Sequence, residues 1–179
     1  MKKTTGIGLF VTAMLCLMMP KFGSGQASAR LTDPEIASVA VVANQNDIDF
    51  ANIAMKKSSN ADVKQFAQTM AADHKAVIDQ AVALVTKLNV TPKDNSTSQS
   101  LKSNAAAAIE KLNATSGAAF DKAYIDNEVT YHQAVITEVE SVLIPEAQNA
   151  ELKALLQAVL PTLQTHLEHA QMIQAKLGK

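Results

Sequence analysis

Four long segments of the chain place an apolar residue at every third or fourth position, which is the spacing of one face of an α-helix. In three of these segments the series contains a histidine, namely His74, His132 and His166. The series around the first of them is Val63, Phe66, Met70, His74, Val77, Ala81, Leu84 and Leu88. The pattern predicts amphipathic helices that pack face to face and bury imidazole groups between them.

The beginning of the chain has the features of a secretory signal peptide. Lys2 and Lys3 precede an apolar run over residues 7–19, and a stretch of small residues ends at Ala29. The run is shorter than the roughly 20 apolar residues that a permanent membrane-spanning helix needs. We therefore expect residues 1–29 to be a signal peptide and residues 30–179 to form one exported domain, which is periplasmic, associated with the outer membrane or secreted.

The composition of the mature domain excludes several kinds of site. Cys16 is the single cysteine and lies in the predicted signal peptide, which excludes thiolate metal sites, disulfides and cysteine nucleophiles from residues 30–179. Lys2, Lys3 and Lys21 also belong to that peptide, which leaves 13 of the 16 basic residues against 17 acidic ones. This acidic balance argues against nucleic acid as a partner. Sparse glycine and absent tryptophan favour helices throughout.

The apolar series predict long helices over residues 32–57, 60–88, 118–143 and 152–177. Thr32 and Glu35 form a capping box at the first helix, and a short turn folds the second helix back on it. The connection over residues 89–116 is long enough to span the ~40 Å length of a helix. We therefore predict an all-α fold, a ferritin-like four-helix bundle with a long crossover between its second and third helices that contains a short extra helix.

Each of the four long helices carries a polar group near its middle, and reflection about the turns brings these groups to similar heights. An unpartnered buried polar group costs about 1 to 3 kcal/mol, which is large against a net stability of about 5 to 15 kcal/mol. The groups must therefore satisfy one another, water or a metal ion. The candidate metal ligands are Asp47, Asp73, His74, Glu128, His132, His166 and His169.

Each candidate also has a structural interpretation. His74 alone is typical of a hydrogen-bonded core histidine, and Glu128 with His132 can form a buried ion pair. His166 and His169 form an HxxH pair that also occurs on solvated helix faces. A site with several imidazoles and one or two carboxylates favours zinc or copper over a carboxylate-bridged iron pair, although iron stays a candidate.

Three segments of the chain resemble a known bacterial family. They are FAQTMAADHKAVIDQA over residues 66–81, FDKAYIDNEVTYHQAVI over 120–136 and PTLQTHLEHA over 161–170. The family is a secreted domain of unknown function described as a predicted outer membrane protein and grouped with ferritin-like folds. The resemblance spans Pro34 to Leu177. It implies an exported four-helix ferritin-like bundle and no particular activity, since the family has no agreed one. The Glu-x-x-His of di-iron ferritin-like proteins is missing from the second and fourth helices, which argues against ferroxidase activity.

The sequence favours a non-enzymatic exported bundle with an envelope-related or stress-related role in binding or structure. A metal-binding or storage protein is the first alternative. A metal-dependent oxidase is a second and less favoured one. No serine-nucleophile motif, phosphate loop or dinucleotide fingerprint supports another enzyme class. The partners that the sequence leaves open are a metal ion, an envelope protein and a second copy of the chain.

Overall fold

The computed structural model describes residues 30–178, which form helices and no strand, so the predicted all-α fold is confirmed. The predicted signal peptide, with Cys16, lies outside the described residues. None of the described helices has the length and apolar character of a membrane span. The helices are α1 (Asp33–Lys57), α2 (Ala61–Lys87), α3 (Ser96–Ala114), α4 (Gly117–Glu138), α5 (Ile144–Glu146) and α6 (Ala150–Leu177), with a π-helical segment (Val139–Leu143) between α4 and α5.

Side-chain caps fix where the long helices begin. The Glu35 carboxylate accepts a hydrogen bond of 2.9 Å from the backbone N–H of Thr32, as the predicted capping box requires. Asn60 accepts from the N–H groups of the first turn of α2, and Asn149 does the same at α6. Because only three residues separate α1 from α2, the two helices form an antiparallel hairpin.

Hydrogen bonds at the two ends of the bundle give the direction of α3. The N–H of Lys93 donates to the Pro34 carbonyl over 2.9 Å, at the start of α1. At the other end, Lys57 Nζ donates to the carbonyls of Leu112 and Asn113 over 2.9 and 2.8 Å. The helix α3 therefore runs parallel to α1 along its whole length.

The remaining contacts show that α2 and α4 run in the same direction. The Asp33 carboxylate, at the start of α1, accepts from the N–H groups of Gln148 and Asn149, just after α4 and α5. Lys176 near the end of α6 pairs with Asp62 at the start of α2 over 2.8 Å. Because α2 and α4 are parallel, the chain must cross the bundle between them, and α3 is this crossover, as predicted.

Two boundaries differ from the prediction. The third long helix ends as an α-helix at Glu138 and continues as a π-helical segment, so the last turn before Leu143 is wider than expected. The turn expected at residues 144–146 is helical, and the chain leaves the helix at residues 147–149 instead. The apolar spacing alone does not distinguish an α-helical turn from a π-helical one here, because residues four apart, such as the buried Val139 and Leu143, lie on the same side in both.

The core has two apolar clusters with a polar layer between them. One cluster surrounds the stacked rings of Phe120 and Tyr124 together with Phe50 and Phe66. The other surrounds Ile36, Val139, Leu143 and Leu156 near the opposite end of the bundle. On the four long helices, Asp47, His74, His132 and His166 fall between these clusters. The fold therefore places one polar group of every long helix at the same level.

Candidate metal centre

Three imidazoles, one each from α2, α4 and α6, meet in the polar layer. The ring centroid of His74 lies 5.6 Å from that of His132 and 5.3 Å from that of His166. The centroids of His132 and His166 are 5.5 Å apart. The three residues are 4, 1 and 4% exposed. The rings thus form a nearly equilateral triangle that is closed off from bulk solvent.

Each ring has one nitrogen next to an oxygen on its outer side. His74 Nδ1 lies 2.8 Å from Asn44 Oδ1, and the Asn44 amide is oriented by its own hydrogen bond from Nδ2 to the Ala40 carbonyl. His132 Nδ1 lies 3.0 Å from the Glu128 carbonyl. His166 Nε2 lies 2.9 Å from Asp73 Oδ2. Because these oxygens are hydrogen-bond acceptors, the three nitrogens are the ones that carry hydrogen.

The second nitrogen of each ring is therefore an unprotonated acceptor. His74 Nε2, His132 Nε2 and His166 Nδ1 are buried and have no protein hydrogen-bond partner. Burial lowers the pKa of His74 to about 2 and of His132 to about 4, and it lowers the pKa of His166 as well. The imidazoles are neutral at neutral pH, so three lone pairs share one interior region and cannot hydrogen-bond to one another.

Two buried carboxylic acids border the triangle. Asp47 Oδ2 lies 3.4 Å from His74 Nε2 and 3.6 Å from His132 Nε2, and Glu128 Oε2 lies 3.5 Å from His132 Nδ1. Burial raises the pKa of Asp47 to about 8. Burial, followed by the charge of Asp47, also raises the pKa of Glu128 well above its ordinary value. The Asp47 carboxyl is therefore mostly protonated at neutral pH, and the pKa of Glu128 is shifted in the same direction.

The separations around Asp47 match those of ligands that share one ion. At 3.4 and 3.6 Å its oxygen is outside the usual range for a hydrogen bond to a ring nitrogen. Tetrahedral bonds of about 2.0 to 2.2 Å place two ligand atoms about 3.3 to 3.6 Å apart. Two sets of ligand atoms lie within 4.8 Å of one another: His74 with His132 and His166, and Asp47 with Glu128 and His132.

The structure brings five of the seven predicted residues into these sets and leaves two outside. Asp73 has a side chain that is 45% exposed and holds His166 from the solvent side. His169 packs edge-on against Phe66, with ring centroids 5.2 Å apart. Both line a surface pocket of about 270 Å³ next to His166. The two histidines of the HxxH pair therefore have different surroundings: His166 belongs to the interior cluster, and His169 lies at this surface pocket.

Sequence reasoning missed Asn44, which orients His74. Its position three residues before Asp47 puts the two side chains on one side of α1. That spacing is the signal that could have found it. Tyr131, next to the site, also has a polar role, since its hydroxyl donates to the Ala43 carbonyl over 2.9 Å.

A cavity of about 410 Å³ extends from the polar layer toward the end of the bundle where α1 begins. Asp47, His74, His132 and His166 all contribute to its wall. Most of its remaining wall is aliphatic, including Ala40, Val77, Ala81, Leu84, Ala105 and Leu156. The lone pairs of the imidazoles thus lie beside a large apolar space and not within closely packed side chains.

Comparisons with solved structures support the helical fold. A search of curated proteins gives no match to the chain. A Streptomyces coelicolor DUF305 protein described as secreted shares 11% identity with a TM-score of 0.69, covering 80% of this chain and 92% of that one. The structure of CopM in the Cu(II)-bound form shares 16% identity with a TM-score of 0.63, covering 82% and 98%. At these identities the similarity is one of helical fold alone.

A family model matches residues 19–173, which include nearly all of the bundle and each of the candidate ligands. The description of that family assigns it no activity, in agreement with the resemblance noted in the sequence. The chain therefore belongs to the family described as domain of unknown function DUF4142.

Proposed function

We propose that this protein is an exported metal-binding protein that holds one copper or zinc ion with His74, His132, His166 and Asp47. The observation that carries the proposal is the orientation of the rings. Each imidazole has its N–H group tied to an outer oxygen and its lone pair directed to the same interior region. Metal-binding histidines in proteins are oriented in this way by outer hydrogen bonds.

The donor set favours copper and zinc over iron. Neutral imidazoles suit both ions, and a site of this composition binds Cu²⁺ more tightly than Zn²⁺ in the usual order of affinities. The similarity to CopM, solved with Cu(II), supports copper. A carboxylate-bridged iron pair would need more acidic ligands than Asp47 and Glu128 supply.

A buried hydrogen-bond network is the competing interpretation. It would require donors for the lone pairs of the three rings and partners for both oxygens of Asp47. Among the described residues none of these atoms has a protein hydrogen-bond partner, and the separation of 3.4 Å between Asp47 Oδ2 and His74 Nε2 is longer than a usual hydrogen bond. A divalent cation would satisfy the imidazole nitrogens and one Asp47 oxygen at once, which favours the metal site.

We expect replacement of His74, His132 or His166 by alanine to weaken Cu²⁺ and Zn²⁺ binding by at least about 100-fold, because losing a ligand costs more than losing an outer partner. His169→Ala is the matched control, since it removes an imidazole from α6 outside the cluster. The measurement is competition titration of protein without an affinity tag. Binding of less than about 0.2 equivalents by the native protein, or equal losses in His169→Ala, would contradict the proposal.

The outer hydrogen bond of His74 provides a second test. Asn44→Ala removes the oxygen that orients this ring, and we expect metal affinity to fall about 10-fold to 100-fold. Gln45→Ala changes the next, exposed residue of α1 and should leave the affinity unchanged. Equal affinity of Asn44→Ala and the native protein would show that His74 needs no such orientation to bind.

Metal binding should release protons. Because burial raises the pKa of Asp47 to about 8, its carboxyl is mostly protonated at pH 7 and must ionise to bind a cation. We expect about one proton per ion from Asp47, measured with a pH indicator in weak buffer. Asp47→Asn should release about one proton fewer and bind more weakly, whereas Asp49→Asn should match the native protein. Equal release by both variants would remove Asp47 from the ligand set.

Without metal, the stability of the protein should pass through a maximum near pH 6. The histidine pKa values are lowered from 6.5, so the folded state binds fewer protons than the unfolded state in acid, and stability is lost below about pH 6.5. Asp47 and Glu128 have raised pKa values, so stability falls as pH rises from about 4 toward 8.

Denaturant unfolding from pH 4.5 to 8.5 in the presence of a chelator measures this profile. Each proton of difference between the states changes the unfolding free energy by about 1.4 kcal/mol per pH unit. The variant Asp47→Asn/Glu128→Gln should lose the decline above pH 6 and keep the decline in acid. A native profile that rises steadily to pH 8 would show that the two acids are ionised in the folded protein.

A further inference from the structure

The cavity beside the imidazoles has the size and lining of a small-molecule site. Its volume is about 410 Å³, within the range of about 300 to 1,000 Å³ that is usual for ligand pockets. An apolar cavity of about 150 Å³ holds benzene, so this one has room for about ten to fifteen non-hydrogen atoms. It is also too large to be an ordinary packing defect in a protein core.

The wall of the cavity has one polar end. The histidine cluster and Asp47 form that end, while aliphatic side chains of α1, α2, α3 and α6 form most of the rest. Alanines such as Ala81 and Ala105, which are 7 and 5% exposed, leave the space between the helices. Polar side chains such as Thr97, Asn104 and Glu138 also border the cavity, but most of the buried polar atoms in its wall that lack partners belong to the histidine cluster and Asp47. A molecule that fits this wall therefore has a mainly apolar body and a polar head at that cluster.

The polar end selects among possible heads. Three imidazole lone pairs accept hydrogen bonds, so the O–H of a carboxylic acid can donate to one of them. If a metal ion occupies the proposed site, a carboxylate from the cavity can bind it, since zinc sites expand from four to five ligands. An anionic head also offsets the charge of a buried divalent cation, which an alcohol does not.

We propose that the cavity binds a medium-chain aliphatic carboxylic acid, with the chain among the alanine, valine and leucine side chains and the carboxyl group at the histidine cluster. The part of this proposal that concerns the carboxylate on a metal rests on the proposed function. The part that concerns the apolar chain does not, because the cavity is formed by the protein alone.

Decanoate, with twelve non-hydrogen atoms, is the probe that fits the volume. It is titrated by calorimetry into the metal-free protein and into protein loaded with Co²⁺, whose visible spectrum reports a new ligand. We expect binding to both forms, tighter in the loaded one, and a change in the cobalt spectrum at one equivalent. Decan-1-ol is the matched probe with the same chain, and it should bind the loaded protein more weakly than decanoate does and leave the spectrum unchanged.

Ala81→Leu places three further carbon atoms in the cavity about two helical turns from His74. We expect it to weaken decanoate binding about 10-fold or more, through lost burial of the chain, and to change Co²⁺ affinity less than threefold. Ala83→Leu is the matched control, because it adds the same side chain to the exposed side of α2. Ala105→Leu fills the same cavity from α3, and it replaces Ala81→Leu in this test if that variant does not fold.

The outcomes separate the two proposals. Co²⁺ binding without any decanoate binding overturns the cavity ligand and leaves the metal site intact. Decanoate binding that Ala81→Leu weakens, without binding of Co²⁺, Zn²⁺ or Cu²⁺, supports the cavity ligand and overturns the metal site. Decanoate binding that survives both filling variants, or equal binding of decanoate and decan-1-ol to the loaded protein, overturns the assignment of a carboxylic acid to this cavity.

Discussion

The neutral imidazole in a helix interface is the constraint on which the structure depends. A protonated histidine there would place an unpaired charge in the core, so burial keeps His74 and His132 neutral, as the lowered pKa values indicate. Each neutral ring has one donor and one acceptor, and both need a partner. The protein supplies an oxygen for every donor. All three acceptors are left together at the centre, and this shared need is what makes the polar layer a candidate site.

The topology puts those groups at one height. Both hairpins, α1 with α2 and α4 with α6, carry their polar groups near mid-length, and the crossover through α3 keeps α2 parallel to α4. The same crossover covers α1 and contributes Ala105 and Leu101 to the wall of the cavity. The long connection therefore has a structural role at the site as well as in the order of the helices.

Much of this arrangement could be predicted because helical periodicity and turn length are local properties. Counting residues from the turn placed Asp47 within about one helical turn of His74, and the two side chains are in fact 3.4 Å apart. The apolar spacing also placed His166, and not His169, in the buried series of α6, and in the structure His166 joins the cluster while His169 packs against Phe66. Residue counting could not assign a role to Asn44, whose partner lies on another helix.

The sequence by itself determined which faces are apolar, where the helices begin and which polar residues share a level, because these follow from the spacing of residues and from caps. The tertiary structure alone decided which nitrogen of each ring points inward, how closely Asp47 approaches two of them and how much space the alanines leave. Those features depend on side-chain rotation and on oxygens from neighbouring turns and helices, and residue spacing carries no information about either.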